Sequence, residues 1–318
     1  MCDFRTSQPR EDMKLKIFVV LVSLWGIGAA IGCARTPTVV VPILPTFDEK
    51  ISWILRLEDQ RLLRDASDST DAIEELEVLA QKVPMEPDLV VLLSDSEPQI
   101  RRRAALALGR LGLQEAVEPL IFSLGDPQVE VRQMSAFSLG LIGDIQATSA
   151  LVDALEDFEP IVQGRAAEAL GRIGAVEAGP AIGRLVSSYI TAAYDLDPDD
   201  LSYPLSAEIE AFRLALYALG TLGAYDPLAE AVLQPNGQPI LWWWPVAYAL
   251  QSTGDPRALE ALVTLTGVQG SVGVAFAAEG LGKVGHTDST SAVDALLALL
   301  DLNRRDDRVI ATAIRALS

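Results

Sequence analysis

Cysteine and histidine are almost absent from this sequence. Its 318 residues include two cysteines, Cys2 and Cys33, and one histidine, His286. No disulfide framework, zinc cluster or thiol nucleophile can be built in the body of such a chain, and no site that needs two imidazoles. Aromatic residues are scarce at 6%, while alanine and leucine are plentiful, which suits close-packed helices better than a sheet. Basic residues are in deficit too, 25 against 44 acidic, for a net charge of −19. A surface of that sign repels phosphate backbones and disfavours nucleic acid as a partner. Phosphate loops, nucleophile elbows and metal-binding histidine pairs are missing, so no catalytic residue, metal or cofactor is expected. Asp195-Leu-Asp-Pro-Asp-Asp200 spaces its acids as a calcium loop would, but Asp200 stands where that loop needs glycine and Ser206 where it needs glutamate. It reads as a solvated acidic loop. His286 follows a helix-ending glycine and reads as an exposed turn residue.

What is present begins with a delivery signal. From Met13 the chain runs MKLKIFVVLVSLWGIGAAIGCA, two lysines before an apolar run from Ile17 to Ile31 that ends in small residues. This is the layout of a secretory signal peptide, and the run is short for a membrane span. Residues 1–32 are therefore assigned to a signal peptide, with Met13 as the natural initiator. Ala30-Ile31-Gly32-Cys33 resembles a bacterial lipobox, which would make Cys33 the lipidated mature N-terminus, although that motif usually has leucine where Ala30 stands. Either cleavage or an uncleaved anchor implies a body exported to the bacterial cell envelope, tied to a membrane and facing the periplasm. Residues 33–47 carry Pro37, Pro42 and Pro45 and read as an extended tether. Thr46-Phe-Asp-Glu49 is a capping-box pattern that opens a helical cap over 48–86, with a second helix expected over 71–82.

From Pro87 the sequence repeats. ALALGRLG (105–112), AFSLGLIG (136–143), AEALGRIG (167–174), LYALGTLG (216–223), AYALQSTG (247–254) and AEGLGKVG (278–285) place their closing glycines 31, 31, 49, 31 and 31 residues apart. Self-similarity at such a period is the signature of a solenoid. One column is always leucine: Leu108, Leu139, Leu170, Leu219, Leu250, Leu281 and Leu317. A position that never varies faces a constant environment, the core between stacked helices. Gly109, Gly140, Gly171, Gly220 and Gly282 follow that column inside the helix, where glycine costs about 1 kcal/mol relative to alanine; their recurrence implies a close-packed neighbour. Each final glycine fits the position just past a helix end. A shorter apolar helix and a turn such as Gly125-Asp126-Pro127 complete each unit. The fold class predicted is all-α, an α-solenoid of about seven helix pairs over 87–318. The 49-residue interval leaves an insertion near 187–207. Leu317 sits in the leucine column, so the sequence stops inside a helix and a reading frame cut short is expected.

Asp126-Pro-Gln-Val-Glu-Val-Arg132 followed by Ala136-Phe-Ser-Leu-Gly-Leu-Ile-Gly-Asp144 resembles the short HEAT-like repeat named after phycobilisome lyases, best matched over 98–174. The whole looks like a bacterial envelope group of which some members carry a peptidyl-prolyl isomerase domain after the solenoid. Deoxyhypusine hydroxylase shares the architecture but needs several His–Glu pairs for iron, which a chain with His286 alone cannot supply. Chromophore lyases act in the cytoplasm, against which the export signal argues.

The resemblance implies that the second helix of each pair lines a concave face. Three tryptophans fall at its start in one unit. In register, Trp242 joins Ile100, Val131 and Val162 in the core. Trp243 joins Arg101, Arg132, Gln163 and Phe212, and Trp244 joins Arg102, Gln133, Gly164 and Arg213. The column through Trp243 is polar in the first three units and apolar in the later ones: Phe212, Trp243, Val274 and Ile310. Two covers fit this apolar half, the insertion or a partner protein. The candidate partner surface is accordingly Arg101, Arg102, Arg132, Arg165, Phe212, Trp243 and Trp244, though the arginines also fit plain helix surface pairing with nearby acids. The function expected is a non-catalytic scaffold holding another protein on the concave face. The alternative is the scaffold part of a longer peptidyl-prolyl isomerase.

Overall fold

A computed structural model describes residues 44–65, 87–284, 290–302 and 306–318. The signal peptide, Cys33, most of the tether, the helix expected over 71–82 and His286 lie outside these residues. Among the described residues there are fifteen α-helices and no β-strand. In chain order the helices are α1 (Phe47–Gln60), α2 (Leu89–Leu92), α3 (Pro98–Leu111), α4 (Val117–Ser123), α5 (Val129–Ile142), α6 (Thr148–Ala154), α7 (Pro160–Ile173) and α8 (Gly179–Tyr189). They continue with α9 (Ala207–Leu222), α10 (Tyr225–Val232), α11 (Trp244–Thr253), α12 (Leu259–Thr266), α13 (Val272–Val284), α14 (Thr290–Leu302) and α15 (Asp307–Leu317). None of these helices is long and apolar enough to cross a membrane.

The pairs alternate a short first helix with a longer second one, and successive second helices (α3, α5, α7, α9, α11, α13, α15) pack on each other in a continuous layer. This is an α-solenoid. Leu108, Leu139, Leu170, Leu219 and Leu250 are completely buried and Leu281 nearly so. Each contributes about 1.5–3 kcal/mol by leaving water. Leu317 departs from the column at 37% exposure, because burial there needs a helix on both sides and no described helix follows α15.

The interior glycines set how closely the layer packs. A Cβ on Gly140 would lie 2.7 Å from the Ala169 Cα, and one on Gly109 2.5 Å from the Ser138 Cβ. Neither distance is tolerable, so the backbones of neighbouring second helices meet where the side chain is missing. The closing glycines Gly112, Gly143, Gly174, Gly223 and Gly254 all have φ between +64° and +81°, the left-handed cap conformation that spares only glycine a Cβ penalty. At the other end, Thr46 and Glu49 form the capping box of α1: the Glu49 amide donates to Thr46 Oγ1 at 3.4 Å and the Thr46 amide to Glu49 Oε2 at 2.7 Å. Ile54 and Leu57 of α1 then bury against the first unit.

The extra residues of the long interval do two things. They extend α8 to 11 residues where α4 and α6 have 7, and they form a segment of turns and extended chain over 194–206 before α9.

Candidate functional site

The second-helix layer carries a ladder of polar rungs in its first half. Arg101 lies in the N-terminal part of α3, and the acid that meets it, Asp126, stands 25 residues on in the turn after α4. Arg101 Nε donates to Asp126 Oδ2 at 2.6 Å and Nη2 to Oδ1 at 2.8 Å. Its Nη1 donates to the Asp95 carbonyl at 2.9 Å, tying the turn before α3. One unit later Arg132 repeats the pattern on Asp157, at 2.8 and 2.9 Å, with Nη1 on the Asp126 carbonyl at 3.0 Å. Lys50 meets Asp95 at 2.6 Å one unit earlier. In the third unit Gln163 replaces arginine: its Nε2 donates to the Asp157 carbonyl at 2.6 Å, and Tyr189 Oη–H donates to its Oε1 at 2.7 Å. Burial alone would raise the Asp126 carboxyl. The Arg101 hydrogen bonds, the Gln128 amide and the fields of Arg101 and Arg132 outweigh it and hold that carboxyl below its usual range. Asp157 is lowered in the same way, against its burial, by Arg132 and the Glu159 amide.

Arg101 and Arg132 are therefore not a surface awaiting a ligand. Their side chains are 11% and 14% exposed, each holding the following turn. The pairing with nearby acids that the sequence allows for these arginines is what the structure shows; the partners were not named, although the constant spacing from Arg101 to Asp126 and from Arg132 to Asp157 was there to be read.

Beyond Gln163 the same column turns apolar, and here the insertion covers it. Phe212, Trp243 and Val274 are all 2% exposed or less. Phe212 and Trp243 stack with centroids 6.1 Å apart. The Asp200 carbonyl accepts the indole N–H groups of Trp243 at 3.1 Å and of Trp244 at 2.9 Å, and the Pro198 carbonyl accepts the Trp244 amide at 2.9 Å. Asp199 reaches the N-terminus of α13, where its carboxylate accepts the amides of Ser271, Val272 and Gly273. Of the two expected covers, it is the insertion that lies on this column. As partner-surface residues Phe212 and Trp243 are consequently wrong: both are interior.

Trp242 is the reverse error. It is 42% exposed, not core. Its unit starts its second helix late: α11 has 10 residues where α3, α5 and α7 have 14. The missing turn is extended chain, held by the insertion through Pro198, so the register that assigned Trp242 to a helix face does not apply there. Leu241, 5% exposed, takes the interior place. Trp244 is half-buried and joins Tyr217, Tyr248 and Phe276 in a ring cluster with centroids 4.9–6.2 Å apart.

Of the seven candidates, Arg102 stays exposed and Arg165 and Trp244 stay half-buried. Arg102 and Arg165 line one groove of about 600 Å³. Met134 and Phe137 lie in it from α5, and Tyr203, Pro204 and Leu205 of the insertion bound it on the other side. The Arg165 and Arg172 guanidiniums stand over the Phe137 ring at 5.3 and 5.4 Å. Arg165 is paired with Glu168 at 2.7 Å, while Arg102 has no ion pair among the described residues. Among its lining residues, Tyr203 is 88% exposed. No cluster of metal-ligating side chains occurs among the described residues.

The sequence model for HEAT repeats matches residues 117–189, and that for the PBS lyase HEAT-like repeat matches residues 100–126. Residues 100–189 are thus similar to HEAT repeats. The helix pairs outside that stretch continue the same layer with the same leucine column. Among solved structures, the solenoid is similar to the CpcE–CpcF complex of phycocyanin lyase from Nostoc sp. PCC7120, at 21% identity over 72% of this chain and 92% of that one, with a TM-score of 0.44. A designed armadillo repeat protein is 19% identical over 72% of this chain and 97% of its own, with a TM-score of 0.40. Human deoxyhypusine hydroxylase is 23% identical over 78% and 96%, with a TM-score of 0.30. Comparison with curated proteins gives no match.

Proposed function

We propose that this solenoid is a scaffold that holds a segment of another protein against its second-helix layer, in the groove between Met134 and Phe137 on one side and Tyr203–Leu205 on the other. One observation carries this reading. The chain's own insertion closes the apolar column over Phe212, Trp243 and Val274, while the groove beside it stays open and is lined by Tyr203, 88% exposed and among the most exposed large side chains described. Large apolar groups concentrated at a concavity and unused by the fold are the usual mark of a docking site. Placing a photo-crosslinking residue at Tyr203, and separately at Glu118 on the exposed side of α4, tests it in cells that make the full chain. Adducts should form from position 203 alone and be lost with Phe137→Glu; adducts that ignore that change would refute the groove.

We further infer export and membrane attachment, supported by the lysine-flanked apolar run from Met13 and by Cys33 at its end. Cys33→Ser should abolish lipid labelling, and labelling that persists would refute lipidation at Cys33.

A further inference from the structure

The sequence places a column of arginines on this face, which by charge alone would suit an acidic partner. Geometry reverses the sign. Arg101 and Arg132 are paired with Asp126 and Asp157. Arg165 is held by Glu168 and Arg213 by Glu210, each at 2.7 Å. Among the described residues, what the groove presents without an ion pair is Arg102 against two exposed carboxylates, Glu130 near the start of α5 and Glu159 just before α7. Glu159 also acts on the Arg132 guanidinium, but that cation is committed to Asp157. The free charge of the groove is thus negative, the same sign as the chain's net −19.

Resting on the scaffold reading above, we infer that the groove accepts a basic polypeptide segment, with a large apolar side chain against Met134, Phe137 and Leu205 and flanking lysines or arginines on Glu130 and Glu159. Charge complementarity selects this occupant. A second copy of the chain, a phosphate headgroup or an acidic peptide would each bring negative charge to free carboxylates on an already negative body. A basic segment is attracted from a distance by the whole surface and is positioned by two specific carboxylates, with the apolar anchor fixing its register.

The test uses the full chain and three labelled twelve-residue peptides: one phenylalanine flanked by lysines, the same with glutamates for lysines, and the lysine peptide with alanine for phenylalanine. The lysine–phenylalanine peptide should bind, more weakly as salt rises. Glu130→Lys with Glu159→Lys should weaken it by about tenfold, and Arg102→Glu should strengthen it several-fold. Reversing Glu115 and Glu118, exposed beside the first-helix layer, should leave it unchanged within about twofold. Several outcomes overturn the inference: equal or tighter binding of the glutamate peptide, no peptide binding at all, or equal losses from the two pairs of reversals, which would mean attraction to net charge only. If the glutamate peptide binds while position 203 still gives groove-dependent adducts, the charge assignment fails and the scaffold reading survives. If adducts and peptide binding are both lacking, both fail.

Discussion

Replacing Asp199 with alanine removes the contact that fastens the insertion across the apolar half of the layer. Its carboxylate accepts three amides at the N-terminus of α13, groups that no earlier helical carbonyl can satisfy. Losing an acidic cap of this kind costs about 0.5–2 kcal/mol, and a value near the upper end, about 2 kcal/mol, is expected because the three amides are left without their partner. A loss of 2 kcal/mol multiplies the open population of the segment by about thirty. Hydrogen exchange at Ser271, Val272 and Gly273 should accelerate by that order, and tryptophan fluorescence should shift to the red as Trp243 and Trp244 lose the Asp200 carbonyl. Units before the insertion should be unaffected, since a solenoid distributes stability through nearest neighbours. Asp200→Ala is the control. The Asp200 carbonyl, not its carboxylate, meets the indoles, and its side chain turns to the Ser202 amide at 2.7 Å. Exchange at 271–273 should therefore stay as it is. Unchanged exchange in Asp199→Ala, or equal acceleration in both variants, would refute the insertion as the cover of the apolar column.

Gly140→Ala should destabilise the chain by about 1–3 kcal/mol in thermal or urea unfolding, because the new methyl meets the Ala169 backbone at 2.7 Å; neutral or raised stability would refute close helix approach. Leu139→Ala should cost about 2–5 kcal/mol and spread to the units on either side; a loss confined below about 1 kcal/mol would mean the column is not core. Asp126 and Asp157 have folded-state carboxyls held below the unfolded value, so their contribution is full above about pH 4 and is lost as pH falls through the lower folded value. Asp126→Asn with Asp157→Asn should be less stable at neutral pH and show a shallower decline in an acid titration followed by circular dichroism; an unchanged slope would refute the ladder as an acid-sensitive element.

Much of this architecture was legible because a repeat is its own alignment. The Leu139 position could be assigned to the core from its recurrence, and Gly140 to a close contact from its cost inside a helix. Gly143 could be assigned to a left-handed cap from its place after the last apolar turn. Each inference compares a residue with its own copies, and the copies share one environment. The site was less legible for the same reason. Arg101 and Arg132 were readable as a column, but a column says only that positions are equivalent, not whether they face solvent or a buried acid. The acid had its own column, Asp126 and Asp157, and pairing the two requires the turn between helices to fold back onto the preceding helix.

The tryptophans failed where periodicity itself ends. Trp242 was placed by extrapolating a helix across residues that the insertion holds extended, and no local feature of Pro239–Trp244 announces this. The deciding residues, Pro198, Asp199 and Asp200, lie over forty positions earlier in a segment with no counterpart in the other units. Yet the change in the ladder itself carried the information. The arginine of one unit needs the aspartate of the next turn, and after Gln163 that turn is replaced by α8's extension and Tyr189. An apolar residue follows in the column, which needs cover instead of a counter-charge. The loss of the ionic rung, the arrival of Phe212 and Trp243 and the extra residues of the insertion are therefore one event in the sequence. A segment inserted at the point where a polar ladder ends is expected to lie across the apolar residues that follow. What it leaves open, between Phe137 and Tyr203, is the place where the fold's own contacts stop and a partner's can begin.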